Sequence, residues 1–113
     1  MKRIEAYVRP NRLEDVQHAL DDIGVPGMTC EPVRGYGRQQ GQTDTLQGSH
    51  YALNLVPKMK ISVVVNDDMA EEVIRAITET VQTGELGDGK IFVCDVLDAV
   101  RIRTGERGGE ALY

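Results

Sequence analysis

A chain of 113 residues with 41% hydrophobic content suffices for one domain around a single core. Its formal net charge of −5, with four Tyr, one Phe and no Trp, argues against the basic face on which a nucleic-acid binder depends. No apolar run is long enough to span a bilayer, and the start Met1-Lys2-Arg3-Ile4-Glu5 lacks a signal-peptide core, so a cytoplasmic protein without membrane insertion is expected.

Ile4, Ala6 and Val8 alternate with Arg3, Glu5, Tyr7 and Arg9, which predicts a strand with one buried face. Pro10 and Asn11 stop it and are expected to cap a helix with the apolar stripe Leu13, Val16, Leu20 and Ile23, closed by Gly24. A second strand is expected from about Met28 to Val33, and a third is marked by Ile61, Val63 and Val65. The segment between them is polar and unusually long for a connection inside one domain, with Ser49, His50 and Tyr51 near its centre. Asp67 and Asp68 are expected to cap a second helix with the stripe Ala70, Val73, Ile74, Ile77 and Val81, before a fourth strand from about Lys90 to Val96. Strand-helix-strand, long loop, strand-helix-strand is the βαββαβ order of an α+β ferredoxin-like sandwich, here a single domain over 1–113. Such a fold puts the second and fourth strands at opposite sheet edges, which invites self-association. It also separates Cys30 from Cys94, both expected as buried thiols packing as small hydrophobes.

Two glycine-rich stretches carry the chemistry. They are Gly35-Tyr36-Gly37-Arg38-Gln39-Gln40-Gly41 and Thr83-Gly84-Glu85-Leu86-Gly87-Asp88-Gly89-Lys90, with Arg101-Ile102-Arg103-Thr104-Gly105-Glu106-Arg107 shortly after the second. Glycines let backbone N–H groups approach an anion, a lysine adds a point charge and arginines add forked donors, so a small polyanion is the expected ligand. Gly84 and Gly89-Lys90 have Walker spacing, but Ile91 stands where that loop needs Ser or Thr and a strand follows instead of a helix. The first stretch misses the dinucleotide fingerprint because Gln40 stands at the third glycine. The carboxylates Glu14, Asp15, Asp21, Asp22, Glu71 and Glu72 read as solvated helix faces, and His18 as an exposed polar residue.

Together these blocks, with Met1-Lys2-Arg3-Ile4-Glu5-Ala6 and Val100 through Arg107, resemble the PII nitrogen-regulatory signal-transduction proteins over almost the whole chain. The resemblance implies a homotrimer that binds ATP or ADP competitively in the clefts between subunits, with 2-oxoglutarate joining MgATP. Segment 37–55 then resembles the T-loop between strands 2 and 3, segment 82–90 the phosphate-binding loop and segment 101–107 a C-terminal basic loop. Gly87, Asp88, Gly89 and Lys90 resemble the residues that wrap the phosphates, with Arg38 on the same side and Arg101 and Arg103 reaching over from a neighbouring subunit. Thr29, Gly35, Gly37 and Val64 resemble adenosine-side and backbone contacts. Gln39 resembles the side-chain ligand to Mg2+, and Lys58 the ammonium that pairs with the distal carboxylate of 2-oxoglutarate, with Gly41 and Gly87 completing that site. Tyr51 stands where many bacterial members are uridylylated, and Ser49 where cyanobacterial members are phosphorylated. The T-loop's implied partners are an ammonium transporter, a nitrogen-metabolism enzyme or a regulator.

Some positions depart from the family pattern. Gln47 and His50 stand where arginine and often glutamate are usual, and Ser62 replaces a common glutamate. Tyr7 replaces a smaller aliphatic residue and Gln40 a frequent lysine. The leading reading is a non-enzymatic sensor of ATP, ADP and 2-oxoglutarate. The alternatives are a divergent adenine-nucleotide sensor without the 2-oxoglutarate response, a slow ATPase, or a structural trimeric adaptor.

Overall fold

In the computed structural model, which describes residues 1–36 and 55–113, the chain forms one four-stranded antiparallel sheet with two α-helices on one face. The strands are β1 (Lys2–Val8), β2 (Thr29–Gly35), β3 (Val56–Val65) and β4 (Lys90–Asp95), and the helices are α1 (Leu13–Asp22) and α2 (Ala70–Val81). Strand order is β2-β3-β1-β4, so β2 and β4 are the edges, as the βαββαβ order predicts. The arrangement is consistent with a ferredoxin-like sandwich.

The period-two pattern decides which face is buried. Ile4, Ala6 and Val8 of β1 and Ile61, Val63 and Val65 of β3 point to the helices and are almost fully excluded from water. Val16 and Leu20 of α1 and Ala70, Val73, Ile77 and Val81 of α2 meet them at helical spacing. Ile77 is fully enclosed within this cluster, so Ile77→Ala is expected to cost about 2–5 kcal/mol, seen as an earlier denaturant midpoint at unchanged slope. The carboxylates of the two helices and His18 lie on the outer, exposed surface.

The helix starts differ from the sequence reading. Each helix is entered through a 3-10 turn, Pro10–Arg12 or Asp67–Met69, and no side chain caps either one. The backbone bonds Arg12 N to Arg9 O and Met69 N to Asn66 O, both 3.0 Å, satisfy donors that a cap would have served. Asn11 is therefore free of that role, and Asp67 pairs instead with the Met1 ammonium at 2.9 Å. Gly24 does close α1, with φ +84° and its N–H on Asp21 O at 3.0 Å.

The cysteines also correct the sequence reading. Cys30 is exposed and Cys94 only half-buried, because each lies on an edge strand that the helices do not cover. Cys30 pairs with Ile61 on the helix side and Cys94 with Arg3 on the open side, so opposite edges and opposite faces separate them. The β2–β3 ladder runs further than hydrophobic alternation suggests, from Thr29↔Ser62 to Gly35↔Val56. Its outer part passes the end of β1, whose last partner is Met59, and tolerates Pro57 because no third strand needs that N–H.

Candidate phosphate-binding site

The open face of the sheet carries the polar residues of the same alternation. Lys58, Lys60, Ser62 and Val64 line it on β3, with Tyr7 and Glu5 beside them on β1 and Lys90 and Phe92 on β4. At the end where β1 finishes and β4 begins, residues 82–89 fold over the sheet.

One carboxylate organises that loop. Asp88 accepts hydrogen bonds from Thr83 Oγ1 at 2.5 Å, Thr83 N at 2.8 Å, Gly84 N at 2.9 Å and Arg9 Nη1 at 2.8 Å. The Thr83 hydroxyl above all, and the Arg9 guanidinium next, hold the Asp88 carboxyl well below the usual carboxylate range. Arg9 also donates to Leu86 O at 3.0 Å, and Lys58 Nζ donates to Gly87 O at 2.8 Å. The residue after β1 and the start of β3 thus grip consecutive parts of the loop. Burial, followed by the nearby Arg9 charge, pulls the Lys58 ammonium below its ordinary value, and Asp88 opposes that shift.

Glycine is required where this grip is tightest. Gly89 has φ +101°, and an added Cβ would stand 1.7 Å from the Tyr7 carbonyl oxygen. The loop lies directly against the β1 backbone, and only a residue without a side chain allows it.

Gly35, Lys58, Gly87, Asp88, Gly89 and Lys90 all border one cavity of about 560 Å³, which Tyr7, Arg34 and Leu86 also line. Six residues expected from separate parts of the sequence therefore meet in one place. Thr29 and Val64 lie elsewhere: Thr29 pairs with Ser62, and Val64 with Arg3 at the far end of β3, roughly 20 Å along the strand from Lys58. Thr29 and Ser62 border a smaller cavity of about 230 Å³ together with Glu5 and Lys60. Arg101 and Arg103 follow β4 past Asp95, at the opposite end of the sheet from Lys90, in a hairpin closed by the Val100↔Arg107 bridge. Within one chain they do not join the loop. Gly37, Arg38, Gln39, Gly41, Ser49 and Tyr51 lie outside the described residues, as do Gln40, Gln47 and His50.

Across residues 1–106 the chain matches the family model described as nitrogen regulatory protein P-II. The chain belongs to the P-II family. Relatives named nitrogen regulatory protein P-II include those of Haemophilus influenzae, 51% identical, and Pasteurella multocida, 49% identical, each over 99% of this chain and 100% of the relative. The Escherichia coli nitrogen regulatory protein P-II 1 is 46% identical over the same shares. Membership bears out the resemblance drawn from the sequence. These P-II relatives are named as regulators, and among the described residues no helix is long and apolar enough to cross a membrane.

Sequence reading gave no structural role to three residues of this P-II chain's loop and cavity. Arg9 reads as the end of a strand, and nothing in its spacing points to Asp88, 79 positions away. Thr83 lies inside the stretch expected to bind phosphate, but its type assigns it no partner, although its hydroxyl is the closest partner of Asp88. Tyr7 is noticed only as a departure, yet it lines the cavity and packs edge-on against Phe92 at 5.9 Å between ring centroids.

Proposed function

We propose that this protein is a non-enzymatic signal-transduction protein that senses ATP, ADP and 2-oxoglutarate as a cytoplasmic homotrimer and regulates nitrogen-metabolism partners through segment 37–55. The observation that carries the reading is the meeting of Gly35, Lys58 and Gly87 through Lys90 around one cavity. Positive-φ glycines at 87 and 89 and the ammonium of Lys90 are the donors a polyphosphate needs, while the Lys58 ammonium beside them suits a carboxylate.

A trimer would supply what one chain lacks. Arg101 and Arg103 stand at the wrong end of their own sheet, so they serve a phosphate only from a neighbouring copy. Phe92, Val93, Leu97 and Ile102, in and after edge strand β4, are exposed apolar residues that such a contact would cover. In this assembly Thr29, Gly35, Gly37 and Val64 would bound the adenosine, and Arg38, Asp88, Gly89, Lys90, Arg101 and Arg103 the phosphates.

Among the described residues no group of three or more His, Cys, Asp or Glu could hold a metal ion. Mg2+ would be bound chiefly by nucleotide phosphates, with Gln39 as the protein's ligand, a donor set suited to a hard cation. Lys58, with Gln39, Gly41 and Gly87, would hold 2-oxoglutarate, and each ligand would complete the other's site. Segment 37–55 would then meet an ammonium transporter, an enzyme or a regulator, with Tyr51 or Ser49 open to modification. The ATPase reading is disfavoured because the Asp88 carboxylate already accepts four hydrogen bonds within the loop and is poorly suited to act as a base.

Calorimetric titration tests this reading. Tight 2-oxoglutarate binding is expected only with MgATP present, and Lys58→Gln should retain ATP while weakening 2-oxoglutarate at least about tenfold through loss of its charged partner. ATP binding with no 2-oxoglutarate response would instead identify a divergent adenine-nucleotide sensor.

A further inference from the structure

The guanidinium of Arg101 is already occupied by its own chain. Nη1 pairs with Glu106 Oε1 at 2.5 Å, and that carboxylate is itself held by Thr104 Oγ1 at 2.8 Å. Nη2 donates to Glu110 O at 3.1 Å and also to Tyr113 O, so both of its protons go to carbonyls of the 3-10 turn Gly108–Leu112 and the residue after it. An arginine offers an oxyanion two forks, Nη1 with Nη2 or Nε with Nη2. Arg107 uses the second on Asp98, through Nε at 2.9 Å and Nη2. Every fork needs Nη2. Arg103, by contrast, has no ion pair or hydrogen bond from its side chain among the described residues.

We propose that the 108–113 turn is a latch on Arg101 that any phosphate taking this arginine bidentately must release. Glu106 stays as the anchor that aims the side chain, while the two carbonyls are the part exchanged for phosphate oxygens. Because the exchange is reciprocal, anion binding loosens the turn and loosening the turn strengthens anion binding. The turn packs against the residue that follows β3: a Cβ on Gly109 would stand 2.7 Å from Asn66 Oδ1. The inference rests on the nucleotide reading for the identity of the phosphate, but not for the latch itself.

Hydrogen exchange followed by mass spectrometry on the full chain tests both halves. Without ligand, Arg101→Gln should speed exchange across 108–113 several-fold; unchanged exchange would overturn the latch. In the wild-type chain, saturating MgATP should speed exchange of the same segment, and bound ATP with slowed or unchanged exchange would overturn the competition. Gly108→Val, which puts a β-branched residue at a φ of +68° at the head of the turn, should bind ATP about three- to tenfold more tightly, the net worth of one ordinary hydrogen bond. If neither wild type nor Gly108→Val binds ATP, the nucleotide reading fails. Tripolyphosphate then takes its place: release of the turn supports the latch, and no release overturns it.

Discussion

Gly89→Ala is expected to abolish measurable ATP binding and to lower the melting temperature by roughly 10 °C or more, from a loss of about 3 kcal/mol. Two effects combine. The left-handed φ of +101° costs a side-chain-bearing residue about 1–2 kcal/mol, and the new Cβ would stand 1.7 Å from the Tyr7 carbonyl oxygen. That obstacle is β1 backbone in the centre of the sheet, which cannot swing aside as a side chain could. The loop must lift instead, and lifting it parts Lys58 from Gly87 O and Arg9 from Asp88. Gly24→Ala is the control: φ is +84° there, but nothing lies within 4 Å of the added Cβ, so only the strain of about 1 kcal/mol should appear. Equal melting temperatures for the two variants, with ATP affinity intact in both, would mean that the loop does not rest on Tyr7 in solution.

The fold was legible because two simple periods run through the chain without conflict. Alternation in Ile4-Glu5-Ala6-Tyr7-Val8 and helical spacing from Ala70 to Val81 each select a buried face, and the four faces fit one core. Boundaries were less legible. The outer half of β3 is held by pairing to β2 past the end of β1, and pairing of that kind leaves no hydrophobic rhythm in Val56-Pro57-Lys58. The missing caps have a related cause, since backbone bonds in a 3-10 turn can replace side-chain oxygens and any residue can make them. Thiol burial failed because residue type says nothing about whether a strand lies at an edge without helix cover. In the site, glycines and lysines were readable from type and spacing alone. Arg9 was not, because a contact between a strand end and a loop 79 positions away is made by topology.

Asp88 tests what the acidic member of the loop is for. Asp88→Ala leaves Thr83 N–H, Thr83 Oγ1, Gly84 N–H and Arg9 without their shared acceptor, so the loop loses its internal tie and ATP affinity should fall about tenfold or more. Asp88→Asn keeps an acceptor oxygen for the Thr83 and Gly84 donors but not the charge facing Arg9, and its loss should be intermediate. The pH response follows from the same contacts. The folded carboxyl is held below its ordinary value of 3.8, so the stability it adds is complete above about pH 5 and is lost progressively as pH falls below that. Wild type should therefore lose melting temperature between pH 5 and pH 3 by more than Asp88→Asn does. Part of the loss should remain in the variant, because Asp67 and Asp98 are also held low, by the Met1 ammonium and by Arg107 respectively. A catalytic role would give a different pattern. A general base replaced by asparagine leaves ground-state binding intact and removes turnover, so Asp88→Asn with wild-type ATP affinity and the full acid sensitivity would transfer this carboxylate from architecture to chemistry.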